Sequence, residues 1–247
     1  MHPGKNNPEG DDTMKPIQVI GMGPGHPDYL LPAAIKALKQ CDLLAGGSRL
    51  LEAGELFAPH EVKKFPLKSD LKTWCHQLQD TLRQQPEIQA GILLSGDPGC
   101  HSLVPVLHQH FDSNALILVP GISSVQLFLS HLQLPWTHGP VISLHGRRTQ
   151  WMDVLRRHSF INLLTDSGSG PEILAKELLD AGHSDAVMAV GENLSYNNQR
   201  LMIGSPQAIL QKAPYQMNVV VISIDSTITK HLQHRKMALH TITGTGG

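Results

Sequence analysis

Three glycine-containing loops, each directly after a short apolar run, constrain the fold of this chain more than any other feature. Ile17–Ile20 runs into Gly21-Met22-Gly23-Pro24-Gly25, Ile92–Leu94 into Gly96-Asp97-Pro98-Gly99, and Leu116–Val119 into Pro120-Gly121. These runs are too uniformly apolar for strands with one wet face, and helical periodicity fills the gaps between them. Leu31, Ala34, Ile35 and Leu38 recur at i, i+3, i+4 and i+7. A strand restarts at Asp42–Ala45. Ser69 is placed to cap a helix whose apolar face is Leu71, Trp74, Cys75, Leu78 and Leu82, and a further helix carries Leu103, Val106, Leu107 and His110. The alternation predicts an α/β fold whose first half is a parallel sheet covered on both faces.

The stretch Leu134–Pro140 holds Pro135, Gly139 and Pro140 between two strand-like runs and reads as the boundary between α/β domains of residues 14–134 and 141–226. Beyond it the pattern is more hairpin-like, with strands expected at Val141–Leu144, Phe160–Leu164, Ala186–Val190, Leu201–Ile203 and Val219–Ile224. One helix starts near Pro171 and stops before Gly182, and another opens at Ser205-Pro206. Residues 1–13 and 227–247 read as loose tails, with Met14 a natural start.

Composition narrows the class. With 40% hydrophobic and 17% charged residues the chain suits a globular protein; it has neither an apolar leader nor a run of bilayer-spanning length, so a cytoplasmic setting is expected. A formal net charge of -1 gives no basic field for nucleic acid. Cys41, Cys75 and Cys100 are odd in number and lack a CxxC pair, so they read as reduced thiols rather than a disulfide frame or zinc site. Fifteen histidines invite a metal reading, but His108 and His110 stand at i, i+2 on a helix and do not face one point, so no metal is expected.

Ligands of open α/β sheets bind beyond the carboxyl ends of the strands, where loops such as these gather and glycine lets a ligand touch the backbone. A dinucleotide is a poor fit: His26 stands where GxGxxG needs a small residue, and Asp42 begins the second strand instead of ending it. No GxxxxGK[ST] is present, which excludes a P-loop. Asp97 either braces a turn or touches the ligand.

Taken together, "VIGMGPGHPDYLL", "SGDPG" and "VPGISS" resemble the tetrapyrrole methylases in order and spacing, over Ile17 to Ile224. Within that superfamily, "GGSRLLE" (Gly46–Glu52), "SLHGR" (Ser143–Arg147), "LLTDSGSGP" (Leu163–Pro171) and "GENLSY" (Gly191–Tyr196) are similar to the C5-methyltransferases of the precorrin pathway. The resemblance implies two α/β domains with S-adenosyl-L-methionine in the cleft between them, usually in a homodimer. It implies cofactor contacts at Pro24, Ser95, Gly96, Asp97, Cys100, Ser123 and Ser124, with Leu164 and Leu194 from the second domain. It further implies a precorrin or cobalt-precorrin substrate in cobalamin synthesis. Such a substrate is rich in carboxylates, for which Arg49 and Arg147 are natural partners. Lys63, Lys64, Lys68 and Arg148 read as solvated charges. A separate C15-methylating decarboxylase is expected as a transient partner, and neither nucleic acid nor membrane is.

The chain departs from the uroporphyrinogen methylases at one point: their proposed base follows the second strand, where this sequence has Ala45-Gly46-Gly47. No general base is assigned. Two other readings stay open: a methylase of the same fold acting on another tetrapyrrole, a ribosomal RNA or a modified translation-factor histidine, and a ligand-binding regulatory module without catalysis.

Overall fold

The structure, a computed structural model, describes residues 14–68, 70–145 and 150–243. The chain divides into two compact units, one ending at Ile122 and one starting at Ser123.

The first unit is built on five strands, β1 (Ile17–Gly21), β2 (Leu43–Gly46), β3 (Lys63–Pro66), β4 (Ala90–Leu94) and β5 (Leu116–Val119). They pair in the order β3-β2-β4-β1-β5, and every pairing is parallel, as expected from the apolar runs of β2 and β4 inside the sheet. Ile20, Leu44, Leu93 and Val119 turn one way and pack with Ala34 and Leu38 of α1 (Pro32–Leu38) and Leu51 of α2 (Ser48–Glu55). Ile17, Val19, Leu43, Ile92 and Leu116 turn the other way, onto Trp74 and Leu78 of α3 (Leu71–Gln84) and Leu107 of α4 (Val104–His110). Each fully buried Leu or Ile of these layers stabilises by about 1.5–3 kcal/mol.

Two details of this unit differ from the sequence expectation. The cap of α3 is Asp70, whose carboxylate accepts from Thr73 N–H at 3.0 Å; Ser69 lies outside the described residues. Lys63 and Lys64 are exposed but belong to the edge strand β3, where Lys64 pairs with Glu55 at 2.8 Å. A four-residue strand with one core-packed side chain, Phe65 against Trp74, gives no periodic signal, and lysines on an edge discourage further pairing.

The second unit comprises α5 (Ser124–Leu132), β6 (Val141–Ser143), α6 (Trp151–His158), β7 (Phe160–Leu164), α7 (Pro171–Asp180), β8 (Val187–Glu192), β9 (Arg200–Gly204), α8 (Pro206–Leu210), β10 (Asn218–Ser223) and α9 (Ser226–Thr243). Its sheet runs β6-β7-β10-β8-β9, with only β6 and β7 parallel. The start of β10 therefore meets the ends of β7 and β8: Val219 faces Leu164, and Asn218 faces Glu192.

The boundary expected at Leu134–Pro140 falls earlier in the chain, because α5 packs into the second unit. Phe128 of α5 closes on Gly191, where an added Cβ would lie 2.6 Å from the ring. The tail expected to be loose after Ser226 is instead helix α9, ordered by docking. His231 reaches the Leu132 carbonyl at 2.9 Å, Arg235 donates to the His131 carbonyl at 2.8 Å, and Leu232 is fully buried. Among the described residues no helix is long and apolar enough to cross a membrane.

Candidate functional site

The loop after β1 turns through left-handed glycines and is bonded to the loop after β4. Gly23 has φ 67° and Gly96 φ 70°, and the two exchange backbone bonds, Gly23 N–H to Gly96 O at 3.2 Å and Gly96 N–H to Gly23 O at 2.9 Å. The loop after β5 joins them: a Cβ on Gly121 would lie 2.2 Å from Gly96 O, and one on Gly21 would lie 2.7 Å from Gly121 N. The three loops predicted to gather at one strand end therefore touch backbone to backbone, and only glycine permits that approach.

Asp97 is the side chain that holds them. Its Oδ1 accepts from Gly99 N–H at 2.7 Å and its Oδ2 from Gly121 N–H at 2.9 Å. Of the two roles open to it from sequence, bracing is the one these bonds perform. Pro24 is buried, Gly96 and Cys100 are half-buried and Ser95 is exposed; the Cys100 N–H bonds to Asp97 O at 3.0 Å. His101, the next residue, is left-handed at φ 47° without being glycine, a conformation uncommon enough to mark a functional loop.

Arg49 lies in the first turn of α2, just beyond the end of β2, and is exposed. Arg147 and Arg148 lie outside the described residues. At Ala45-Gly46-Gly47, Gly46 has φ 153° and a Cβ there would meet Leu93 O at 3.0 Å, so that position excludes a side chain; Gly47 faces open space.

In the second unit, Ser123 caps α5 through a reciprocal pair, its hydroxyl accepting from Val125 N–H at 3.2 Å and its own N–H donating to Gln126 Oε1 at 2.9 Å. Ser124 is the first residue of α5. Leu164 ends β7 and Leu194 follows β8 by two residues, so both stand at the strand end that also carries Asn218 and Arg200. Leu194 is 4% exposed, and among the described residues its main-chain N–H and C=O have no hydrogen-bond partner. A main-chain amide in that state is available to a ligand.

Sequence reasoning missed the groups that hold this edge. Thr165 donates to Asn218 Oδ1 at 2.7 Å, Asn218 Nδ2 to Gln216 O at 2.7 Å, and Gln216 N–H to Glu192 Oε1 at 2.6 Å. Arg200 Nε completes the chain on Glu192 Oε2 at 2.6 Å. Only the buried, charged Glu192 inside "GENLSY" was a signal, because an apolar strand rarely ends on an acid. Among the described residues no three His, Cys, Asp or Glu side chains gather as a metal site.

Residues 16–209 match the sequence model of the Tetrapyrrole (Corrin/Porphyrin) Methylases. The chain is 31% identical over 206 residues to the cobalt-precorrin-7 C(5)-methyltransferase of Salmonella typhimurium, covering 83% of this chain and 98% of the relative. It is 29% identical over 220 residues to the probable cobalt-precorrin-7 C(5)-methyltransferase of Methanocaldococcus jannaschii, covering 86% and 100%. Its fold is similar to uroporphyrin-III C-methyltransferase from Thermus thermophilus complexed with S-adenosylhomocysteine, with a TM-score of 0.68 at 19% identity over 85% of this chain and 97% of that one. The family match spans most of the chain, from β1 through β9, and with that the chain belongs to the tetrapyrrole methylases.

Proposed function

We propose that this chain is an S-adenosylmethionine-dependent methyltransferase that methylates C5 of cobalt-precorrin-7, or of its metal-free counterpart, in cobalamin synthesis. The observation that carries the reading is the junction of Gly21, Gly96 and Gly121 under the Asp97 carboxylate. It sets three strand-end loops side by side, backbone against backbone. The activity of its relatives supplies the choice of substrate and carbon.

The residues fit the cofactor. The unpartnered Leu194 amide suits the ring nitrogens and exocyclic amine of adenine, and backbone at the β1 and β4 loops suits its polar groups. Pro24, Ser95, Gly96, Cys100, Ser123 and Ser124 are proposed to hold it, with Leu164 and Leu194, and Asp97 to do so through the loops it braces. When bound, S-adenosylmethionine supplies an activated methyl on a sulfonium. The protein's part is to orient: Asp97 fixes the loops, and Arg49 and Arg147 hold substrate carboxylates. No base is assigned: the electron-rich macrocycle carbon would take the methyl as S-adenosylhomocysteine leaves, its proton would pass to solvent, and positioning supplies much of the acceleration. A homodimer working in the cytoplasm, with a transient C15-methylating decarboxylase as partner, completes the proposal.

The test is to titrate the chain with S-adenosylmethionine and then offer cobalt-precorrin-7, RNA or translation factor. A gain of one methyl by the precorrin alone is expected. Methylation of either macromolecule, a second methyl, or loss of carbon dioxide overturns the reading.

A further inference from the structure

The loop after β8 is held in a conformation its own residues disfavour. Asn193 has φ 48° and Ser195 φ 74°, two left-handed non-glycine residues on either side of Leu194. Such backbone persists only where its surroundings over-determine it. Ser195 is held locally, its N–H donating to Gln199 Oε1 at 2.8 Å, while Asn193 is held by the Gln216–Met217 strap, which is fixed in turn by one buried side chain, Glu192, 2% exposed at the end of β8. Its Oε1 takes the Gln216 N–H at 2.6 Å, and its Oε2 takes Arg200 Nε at 2.6 Å and Nη2 at 2.5 Å. Asn193 is tied to the same strap, its Nδ2 donating to Gln216 Oε1 at 2.6 Å and its N–H to Met217 O at 2.8 Å.

A buried carboxylate is not the way to maximise stability at such a place, since an apolar side chain of similar volume commonly serves as well or better. What the charge adds is a unique geometry, because each oxygen accepts only from donors at one place. The Arg200 side chain stays 64% exposed while its guanidinium reaches the acid, so Glu192 ties β9 and the Gln216 strap, both at the surface, to the end of β8.

We propose that Glu192 is a positioning residue for cofactor binding, acting through the Asn193–Tyr196 loop to hold the Leu194 amide ready for its ligand. The inference rests on the cofactor reading above. Glu192 touches no ligand; it fixes the main chain that does. Replacing it with Gln keeps an acceptor for Gln216 but removes the charge that holds Arg200, and the loop is then free to leave its left-handed geometry.

The test is calorimetric titration of the full chain with S-adenosylhomocysteine, beside thermal midpoints and steady-state kinetics. Glu192→Gln should raise the dissociation constant by about tenfold, and raise KM for S-adenosylmethionine while kcat at saturation stays within about twofold. Trp151→Phe is the control: it loses the Trp151–Glu177 hydrogen bond elsewhere in the same unit and should lower the thermal midpoint without changing affinity. If Glu192→Gln gives little folded protein, Asn193→Gly carries the test, since it accepts the left-handed backbone but loses the bond to Gln216, and should weaken binding by about threefold. An unchanged dissociation constant in the folded Glu192 variant, or in Asn193→Gly where that stands in, overturns the proposal, and so does an equal loss in Trp151→Phe. No binding by the unaltered chain overturns the cofactor reading itself.

Discussion

The Asp97 carboxylate accepts the Gly121 N–H across 24 residues of sequence, at 2.9 Å, while its other oxygen holds Gly99. One side chain thus joins the loops after β4 and β5. Asp97→Ala leaves two backbone donors without that partner and should cost about 1–3 kcal/mol of stability as well as cofactor affinity. Asp97→Asn retains the shape and one acceptor and should fall between. Denaturant midpoints and S-adenosylhomocysteine titrations check both; lost affinity at unchanged stability would make Asp97 a ligand contact and not a brace.

Gly121 and Gly47 provide a contrast. A Cβ on Gly121 would sit 2.2 Å from Gly96 O, so Gly121→Ala must part the two loops and should destabilise by about 1–3 kcal/mol or more. Gly47 meets nothing within 4 Å and has φ -67° at the N-cap of α2. Gly47→Ser should therefore be tolerated and stabilise by a few tenths of a kcal/mol, about the gap between these caps. Thermal unfolding of the two variants decides.

Arg49, exposed at the end of β2, is assigned to substrate carboxylates and not to the cofactor. Arg49→Ala should weaken precorrin binding by about 1.5–3 kcal/mol, the worth of a charge-assisted hydrogen bond, and leave S-adenosylhomocysteine binding intact. Arg147→Ala is expected to behave the same way. Equal loss of both ligands, or loss of neither, rules the assignment out.

Two groups set opposite pH limits. Burial holds the His131 imidazole below the ordinary histidine value, and the Arg235 guanidinium beside it adds to the effect. The unfolded chain therefore binds that proton more readily, so stability is full above the ordinary value of 6.5 and is lost as pH falls below it. Burial first, then the carboxylates of Glu172 and Glu192, push the Tyr215 phenol up to about 12 from 10.0, against a smaller opposing pull from Arg200. Here the folded state keeps the proton longer, so the contribution is full below pH 10 and is lost as pH rises toward about 12. Denaturation midpoints across pH should show His131→Gln flattening the acid limb and Tyr215→Phe flattening the alkaline one.

The thiols should react in two classes. Cys41 is buried and its thiol is pushed up to about 12 by desolvation, with Asp42 adding to it; Cys75 is buried and raised by desolvation alone. Cys100 is half-buried in the loop assigned to the cofactor. Alkylation of the folded chain should label Cys100 first and slow when S-adenosylhomocysteine is bound, whereas Cys41 and Cys75 should label only on unfolding. Rapid labelling of Cys41 in the native protein would contradict the burial.

Local residue pattern is enough for the parallel sheet of the first unit, the three loops at its strand ends, and the family. All three are written locally: Ile17–Ile20 and Ile92–Leu94 are apolar on both faces, and glycines follow at once. It did not reveal β3, whose exposed lysines carry no period, nor that Leu134–Pro140 lies inside the second unit. Packing in three dimensions is what docks α9 on the end of α5 through His231 and Arg235, and what sets Asp97 against Gly121. The same holds for Glu192, which gathers Arg200, Gln216 and the Leu194 loop at one strand end. Periodicity reports which face of an element is buried, but a hydrogen bond between residues far apart in the chain exists only once packing has brought donor and acceptor to within about 3 Å.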